Sequence, residues 1–129
     1  MGTKVNIDGT VMGPNQARIS VFDRGFLYGD SVYEVMRTYE GLVFAMDQHL
    51  DRLQRSADSL GIRLPNRAWL ATEIQHTLEA AENPESALRL MVTRGSGPMT
   101  LDPTFARSPI CVILVRPFEA FPARLFEEG

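Results

Sequence analysis

Lysine is nearly missing from this 129-residue chain: Lys4 stands alone, and the other twelve basic residues are arginine. Any chemistry that needs a lysine amine therefore rests on one residue near the start of the chain. Cysteine is as scarce. Cys111 has no second thiol to pair with, which excludes an intrachain disulfide and any cysteine-based metal spacing, and it reads as a buried small hydrophobe. The two histidines, His49 and His76, fall on separate segments and read as flanking or surface residues, not ligands. The longest apolar run, Ile110 to Val115, is far shorter than a bilayer-spanning helix. There is no basic surplus either: a net charge of −3 argues against nucleic acid or an anionic membrane as partner. With no basic-then-apolar leader in view, the cytoplasm is the expected location. Repeats, low-complexity tracts, a nucleophile elbow and a phosphate-cradling glycine loop are all lacking.

What is present is an ordinary globular composition, 44% apolar and 22% charged, at a length that suits one core. Lys4 to Ile7 alternates and meets Asp8-Gly9, a tight-turn dipeptide, with Thr10 to Met12 returning antiparallel. Arg18 to Phe22 reads as a strand broken by Asp23-Arg24-Gly25. Val32 to Tyr39 and Leu42 to Ala45 form a hairpin about Glu40-Gly41. The period then lengthens: Leu50, Leu53, Ala57 and Leu60 lie three and four apart, so a helix is expected from an Asp47 cap to a Gly61 stop. Asn66 caps a second helix whose stripe is Trp69, Leu70, Ile74, Leu78 and Ala81, ended by Asn83-Pro84. Leu88 to Thr93 and Ile110 to Arg116 are strands, and the long segment from Gly95 to Pro109 between them is a candidate functional loop. The pattern is that of an α+β domain with a largely antiparallel sheet and two helices.

His49, Arg52 and Ser56 form a polar stripe beside the leucine face of the first helix. On spacing alone Arg52 reads as a snorkelling arginine, with Asp51 and Arg55 as an i,i+4 pair; an arginine leaning over the core edge toward a phosphate is the alternative. Tyr28 and Tyr33 flank Gly29-Asp30, and a ring with a polar tip suits either core packing or a pocket for an aliphatic side chain beside a carboxylate. Alternation along the strand from Ala87 sets Arg89 and Arg94 on opposite faces.

Three segments carry a family resemblance. Val21 to Gly61 (VFDRGFLYGDSVYEVMRTYEGLVFAMDQHLDRLQRSADSLG), the strand ALRLMVTRG from Ala87 to Gly95, and Leu101-Asp102-Pro103 resemble the small N-terminal domain of the class IV (fold-type IV) enzymes that use pyridoxal 5'-phosphate (PLP). These are the branched-chain and D-amino-acid aminotransferases and the aminodeoxychorismate lyases. The resemblance implies residues 1–117 as the small domain and 118–129 as the linker and start of a cofactor-binding domain. It implies Arg52, in His49-Leu50-Asp51-Arg52-Leu53, as the ligand of the cofactor phosphate. Tyr28, Tyr33 and Arg89 match substrate-contacting positions, with Arg89 facing a second substrate carboxylate and Arg94 as its competitor; Glu34 and Arg37 match supports of the pocket wall.

Three departures matter. Ala87 stands where branched-chain enzymes carry a tyrosine, which removes a hydroxyl from the carboxylate site. The R-x-H of the D-amino-acid enzymes is lacking, and Tyr33-Glu34 stands where the lyases show phenylalanine-threonine. The last two point toward a branched-chain or amine transaminase acting on amino acid and 2-oxo acid substrates. The Schiff-base lysine of the family has no counterpart, since Lys4 lies far from these motifs. The expectation is the front part of an aminotransferase, a homodimer or larger, inactive by itself. The alternatives are a lyase of the same fold and a stand-alone binding or dimerisation module.

Overall fold

A computed structural model of the chain describes residues 2–96 and 108–119. Six strands and three helices follow one another as β1 (Lys4–Ile7), β2 (Thr10–Met12), α1 (Arg24–Tyr28), β3 (Ser31–Tyr39), β4 (Leu42–Val43), α2 (Met46–Leu60), α3 (Arg67–Ala81), β5 (Ser86–Thr93) and β6 (Ile110–Pro117). The strands form one sheet in the order β2-β1-β6-β5-β3-β4, antiparallel throughout. The α+β, largely antiparallel architecture expected from the sequence is the one observed.

Both long helices lie on one face of the sheet. Leu50, Leu53 and Ala57 of α2 and Leu70, Ile74 and Ala81 of α3 meet Val32 and Met36 of β3, Leu88, Leu90 and Val92 of β5, and Cys111, Ile113 and Val115 of β6. These are alternate strand positions, as a half-covered sheet requires. A polar network closes the far end of this layer. Buried Asn6 donates to Glu73 Oε1 and Thr77 Oγ1, both at 3.1 Å, while its own Oδ1 accepts the Gly9 N–H at 2.8 Å.

Local chemistry sets the ends of the elements. Asn66 Oδ1 accepts the N–H groups of Ala68 and Trp69, capping α3 as its sequence indicates. Gly61 closes α2 in the left-handed conformation, φ 69°. The start of α2 differs from expectation: the helix begins at Met46, Ala45 holds the cap position at φ 56° without a side-chain bond, and Asp47 lies in the first turn. Met46 packs against the core, which pulls the helix start forward of the acid, and an acid in the first turn still favours the positive end of the helix dipole.

The segment from Arg18 to Phe22 is not a strand. Ser20 takes its place in a turn, its hydroxyl accepting the Phe22 N–H and its carbonyl the Asp23 N–H. Asp23 then caps α1, a helix where the sequence pattern shows only a break. Its Oδ1 accepts the Gly25 N–H at 2.7 Å and its Oδ2 the Thr93 hydroxyl at 2.8 Å. Gly25 has no spare room, because a Cβ there would sit 2.7 Å from Thr93 Cγ2. The Asp-Arg-Gly triplet is thus the joint that fastens α1 to the end of β5.

Candidate active site

Glu34 is an acid at a core-facing position of an alternating strand, and such a group is tolerated in the interior only when cations meet it. Two do. Arg52 donates from Nε to Oε2 at 2.9 Å and from Nη2 to Oε1 at 2.7 Å, and His49 Nδ1 lies 2.6 Å from Oε1. A carboxylate can only accept, so Nδ1 carries the histidine proton in this arrangement. Burial opposes ionisation of Glu34, but the bonds from Arg52 and His49 outweigh it and hold its carboxyl below the ordinary range. The same bond raises the Arg52 value further.

The exposures of the pair differ sharply. The Glu34 side chain is 5% accessible and that of Arg52 is 61%. Glu34 grips the guanidinium through Nε and Nη2, which leaves Nη1 outside the pairing. Beside it opens a hollow of about 220 Å³ lined by Gln48, His49, Arg52 and Arg55. These lining groups are donors or cations and include no acid, a set suited to an oxyanion. Asp51, which by spacing could partner Arg55, pairs instead with Arg67 of α3 at 2.7 Å.

Tyr33 and Arg89 lie on the opposite face, which neither long helix covers and on whose end α1 rests against Thr93. The register pairs Val35 with Arg89 and Tyr33 with Met91, so Arg89 is the diagonal neighbour of Tyr33, and its Cζ lies 4.4 Å from the centre of that ring. Tyr28 ends α1, with the Arg24 guanidinium 4.7 Å above its ring, and makes no described contact with Tyr33 or Arg89. Arg52 and Arg89 therefore flank β3 from its two sides. Among the described residues β4 covers Thr38 and Tyr39 of β3, and the Phe44 N–H reaches the Arg37 carbonyl at 2.9 Å, so the stretch from Ser31 to Met36 is the edge along which the two faces meet.

Arg94 is occupied structurally. It reaches Asp30 Oδ2 at 2.6 Å through Nε and the carbonyls of Leu60 and Gly61 through its terminal nitrogens, tying β5 to the end of α2. Arg24 shares Asp30 at 3.1 Å. Burial again opposes ionisation of Asp30, and the two arginines more than offset it. Arg37 stacks between the rings of Tyr39 and Phe118, at 3.7 and 3.5 Å from their centres.

Neither the Asp30 cluster nor the grip of Glu34 on Arg52 is evident from motif spacing. A signal for the second does exist in the sequence: a lone acid among Val32, Met36 and Thr38 on the inward side of β3. The loop from Gly95 to Pro109, with Met99, Leu101 and Phe105, lies largely outside the described residues, as do Leu101-Asp102-Pro103.

Lys4 sits at the start of β1, opposite Val115, two strands from β5 and on the face away from Arg89. No helix among the described residues is long and apolar enough to cross a membrane, and they hold no cluster suited to a metal.

Comparison with known proteins gives this geometry its family. The profile of the amino-transferase class IV family matches residues 31–125. A putative branched-chain-amino-acid aminotransferase of Methanocaldococcus jannaschii is 37% identical over 127 residues, covering 98% of this chain and 43% of that protein. The crystal structure of 4-amino-4-deoxychorismate lyase from Pseudomonas aeruginosa superposes with a TM-score of 0.79 at 30% identity, over 97% of this chain and 44% of that one. A hypothetical aminotransferase from Mycobacterium tuberculosis, solved in a PLP-bound form, gives 0.72 at 26% identity, over 96% of this chain and 42% of that one. The chain belongs to the class IV aminotransferase family. It spans less than half the length of these relatives, and its fold is that of their N-terminal domain.

Proposed function

We propose that residues 1–117 are the small domain of a PLP-dependent transaminase and that residues 118–129 lead into its cofactor-bearing part. The enzyme moves an amino group between an amino acid of branched-chain type, or an amine, and a 2-oxo acid. It works in the cytoplasm as a homodimer or larger assembly. The observation that carries this reading is Arg52, whose guanidinium is fixed by buried Glu34 beside an acid-free hollow.

The donors present fit a phosphate, so Arg52 is the residue that holds the cofactor's, with His49 and Arg55 beside it. PLP, when bound, supplies the electron sink that stabilises negative charge at the substrate's α-carbon. The chain's own residues bind and orient. Glu34 holds Arg52 in one rotamer before any anion arrives, which lowers the ordering cost of binding. Arg89 meets the second carboxylate of glutamate or 2-oxoglutarate, and Tyr33 and Tyr28 shape the wall around the side chain. The amine that relays the α-proton comes from outside this chain, since Lys4 starts β1, two strands from β5 and three from β3. The isolated chain should accordingly show no transaminase turnover.

A lyase of the same fold is the second reading, favoured by the structural relative at 30% identity. Turnover assays with an amino-acid donor and with aminodeoxychorismate distinguish the two.

Arg52→Ala tests the site. In the enzyme that carries this chain, the variant should retain PLP at least about ten-fold less well, because a charge-assisted bond contributes roughly 1.5–3 kcal/mol. Cofactor retention read by visible absorbance after dialysis gives the answer, and unchanged retention would remove Arg52 from the phosphate site.

A further inference from the structure

The face of the sheet that the two long helices leave open concentrates one kind of charge on its strands. Its outward positions are Tyr33, Val35, Arg37 and Tyr39 on β3, Ala87, Arg89 and Met91 on β5, and Val112, Leu114 and Arg116 on β6. They include three arginines and no acid, in a chain whose net charge is −3. A random scatter of an acidic chain's charges over its surface would not be expected to leave a face so one-sided.

The register arranges the three around the smallest side chain on that face. Arg37, Ala87 and Arg116 lie in a row across three strands, since Arg37 pairs with Ala87 and Ala87 with Arg116. Arg89 pairs with Leu114, which makes it the diagonal neighbour of Arg116. Diagonal neighbours are about 7–8 Å apart, within reach of two long side chains that share a ligand. Because Ala87 is small, a hollow of about 230 Å³ opens over it, bounded by Val35, Leu114, Arg89 and Arg116.

The three arginines are not equivalent. Arg37 is clamped by two aromatic rings and by its bond to the Thr38 carbonyl at 2.9 Å. Glu85, the acid that feels Arg37, is itself held by Gly41, Thr38 and Glu40. Arg89 rests on the Tyr33 ring. Arg116 is exposed and makes no ion pair with any described residue, including Glu119, which lines the neighbouring hollow with it. Two guanidinium groups on one hollow without a carboxylate between them form a ready anion clamp.

We infer that Arg116 is a specificity-determining residue that joins Arg89, across the gap left by Ala87, in clamping one carboxylate of a dicarboxylic substrate. The inference rests on the transaminase reading for its substrate class but not for its geometry. With Arg89 alone, a second carboxylate would meet one cation tied to an aromatic ring. With Arg116 added, the same oxygens receive two planar donor forks, and a monocarboxylate whose only acid group is engaged elsewhere gains nothing from the pair.

The experiment titrates the 129-residue chain with glutarate, a five-carbon dicarboxylate, and with glutaramide, its uncharged counterpart, following the arginine Nε–H signals by NMR. Glutarate should bind at least about ten times more tightly than glutaramide, with the Arg89 and Arg116 signals moving together. Arg116→Leu should remove most of that preference and Arg116→Lys restore part of it. The thermal midpoint should stay the same in both variants, because Arg116 has no ion-pair partner to lose among the described residues. An unchanged preference in Arg116→Leu, or none in the parent chain, overturns the inference. Either result leaves the Arg52 test of cofactor retention untouched, so failure of this site and failure of the transaminase reading are separable.

Discussion

The two faces of the sheet obey different rules. On the helix-covered face the buried acids have found their complements: Glu34 has Arg52 and His49, Glu73 has Asn6 and His76, and no described buried side-chain polar atom lacks a partner. On the bare face Tyr33, Val35 and Tyr39 are each at least half exposed, and Arg116 has no ion-pair partner among the described residues. A face satisfied by its own chain adds to stability. A face left with apolar surface and uncompensated positive charge holds its binding capacity in reserve for something else.

The sharpest test of that contrast is a pair of truncations. Leu53 of α2 is wholly buried against the sheet, and Leu53→Ala should cost about 2–5 kcal/mol of unfolding free energy. Val35 is 55% exposed on the bare face, and Val35→Ala should change stability by less than about 1 kcal/mol. Urea unfolding of both variants measures this. A comparable loss at Val35 would show that the bare face is covered in solution.

A smaller effect should appear on acidification. Glu34 and Asp30 have folded values below their ordinary 4.5 and 3.8, so each contributes stability in full above those values. That contribution is lost as the pH falls through the lower, folded values, since the unfolded chain then binds more protons than the native one. Glu34→Gln should therefore be less stable than the parent near neutral pH and flatten the acid limb of the stability profile. An acid limb of unchanged steepness would mean that the Glu34 pairing contributes little to the fold.

The smallest effect concerns Cys111. Burial, helped by the nearby Asp8 and Glu73 carboxylates, pushes its thiol up to about 12. Thiolate is accordingly scarce at pH 8, and iodoacetamide should label Cys111 only after unfolding. Rapid labelling of the native chain would place β6 nearer solvent than its packing indicates.

Much of the covered face is legible in the amino-acid order. The spacing of Leu50, Leu53 and Ala57 marks α2, Asn66 marks the cap of α3, and the alternation from Val32 to Tyr39 marks β3, because burial against one neighbour imposes a period that a sequence displays. Arg18 to Phe22 misleads for the same reason: its apolar residues mimic a period, but Ile19, Val21 and Phe22 are exposed, and Ser20 turns the chain instead. The Arg52 stripe is visible along the helix, while its meaning needs Glu34, eighteen positions earlier.

By itself, then, the sequence determined the long helices and most strands, their core-facing sides, and a family likeness carried by contiguous motifs, but not α1. The tertiary structure alone decided which distant residues meet. Strand pairing across the chain set Arg89 beside Arg116 with Ala87 between Arg37 and Arg116, and α2 packing on β3 brought Arg52 onto Glu34. Periodicity is a local consequence of burial and can be read along the chain; register between strands far apart in sequence is fixed only when the whole sheet closes.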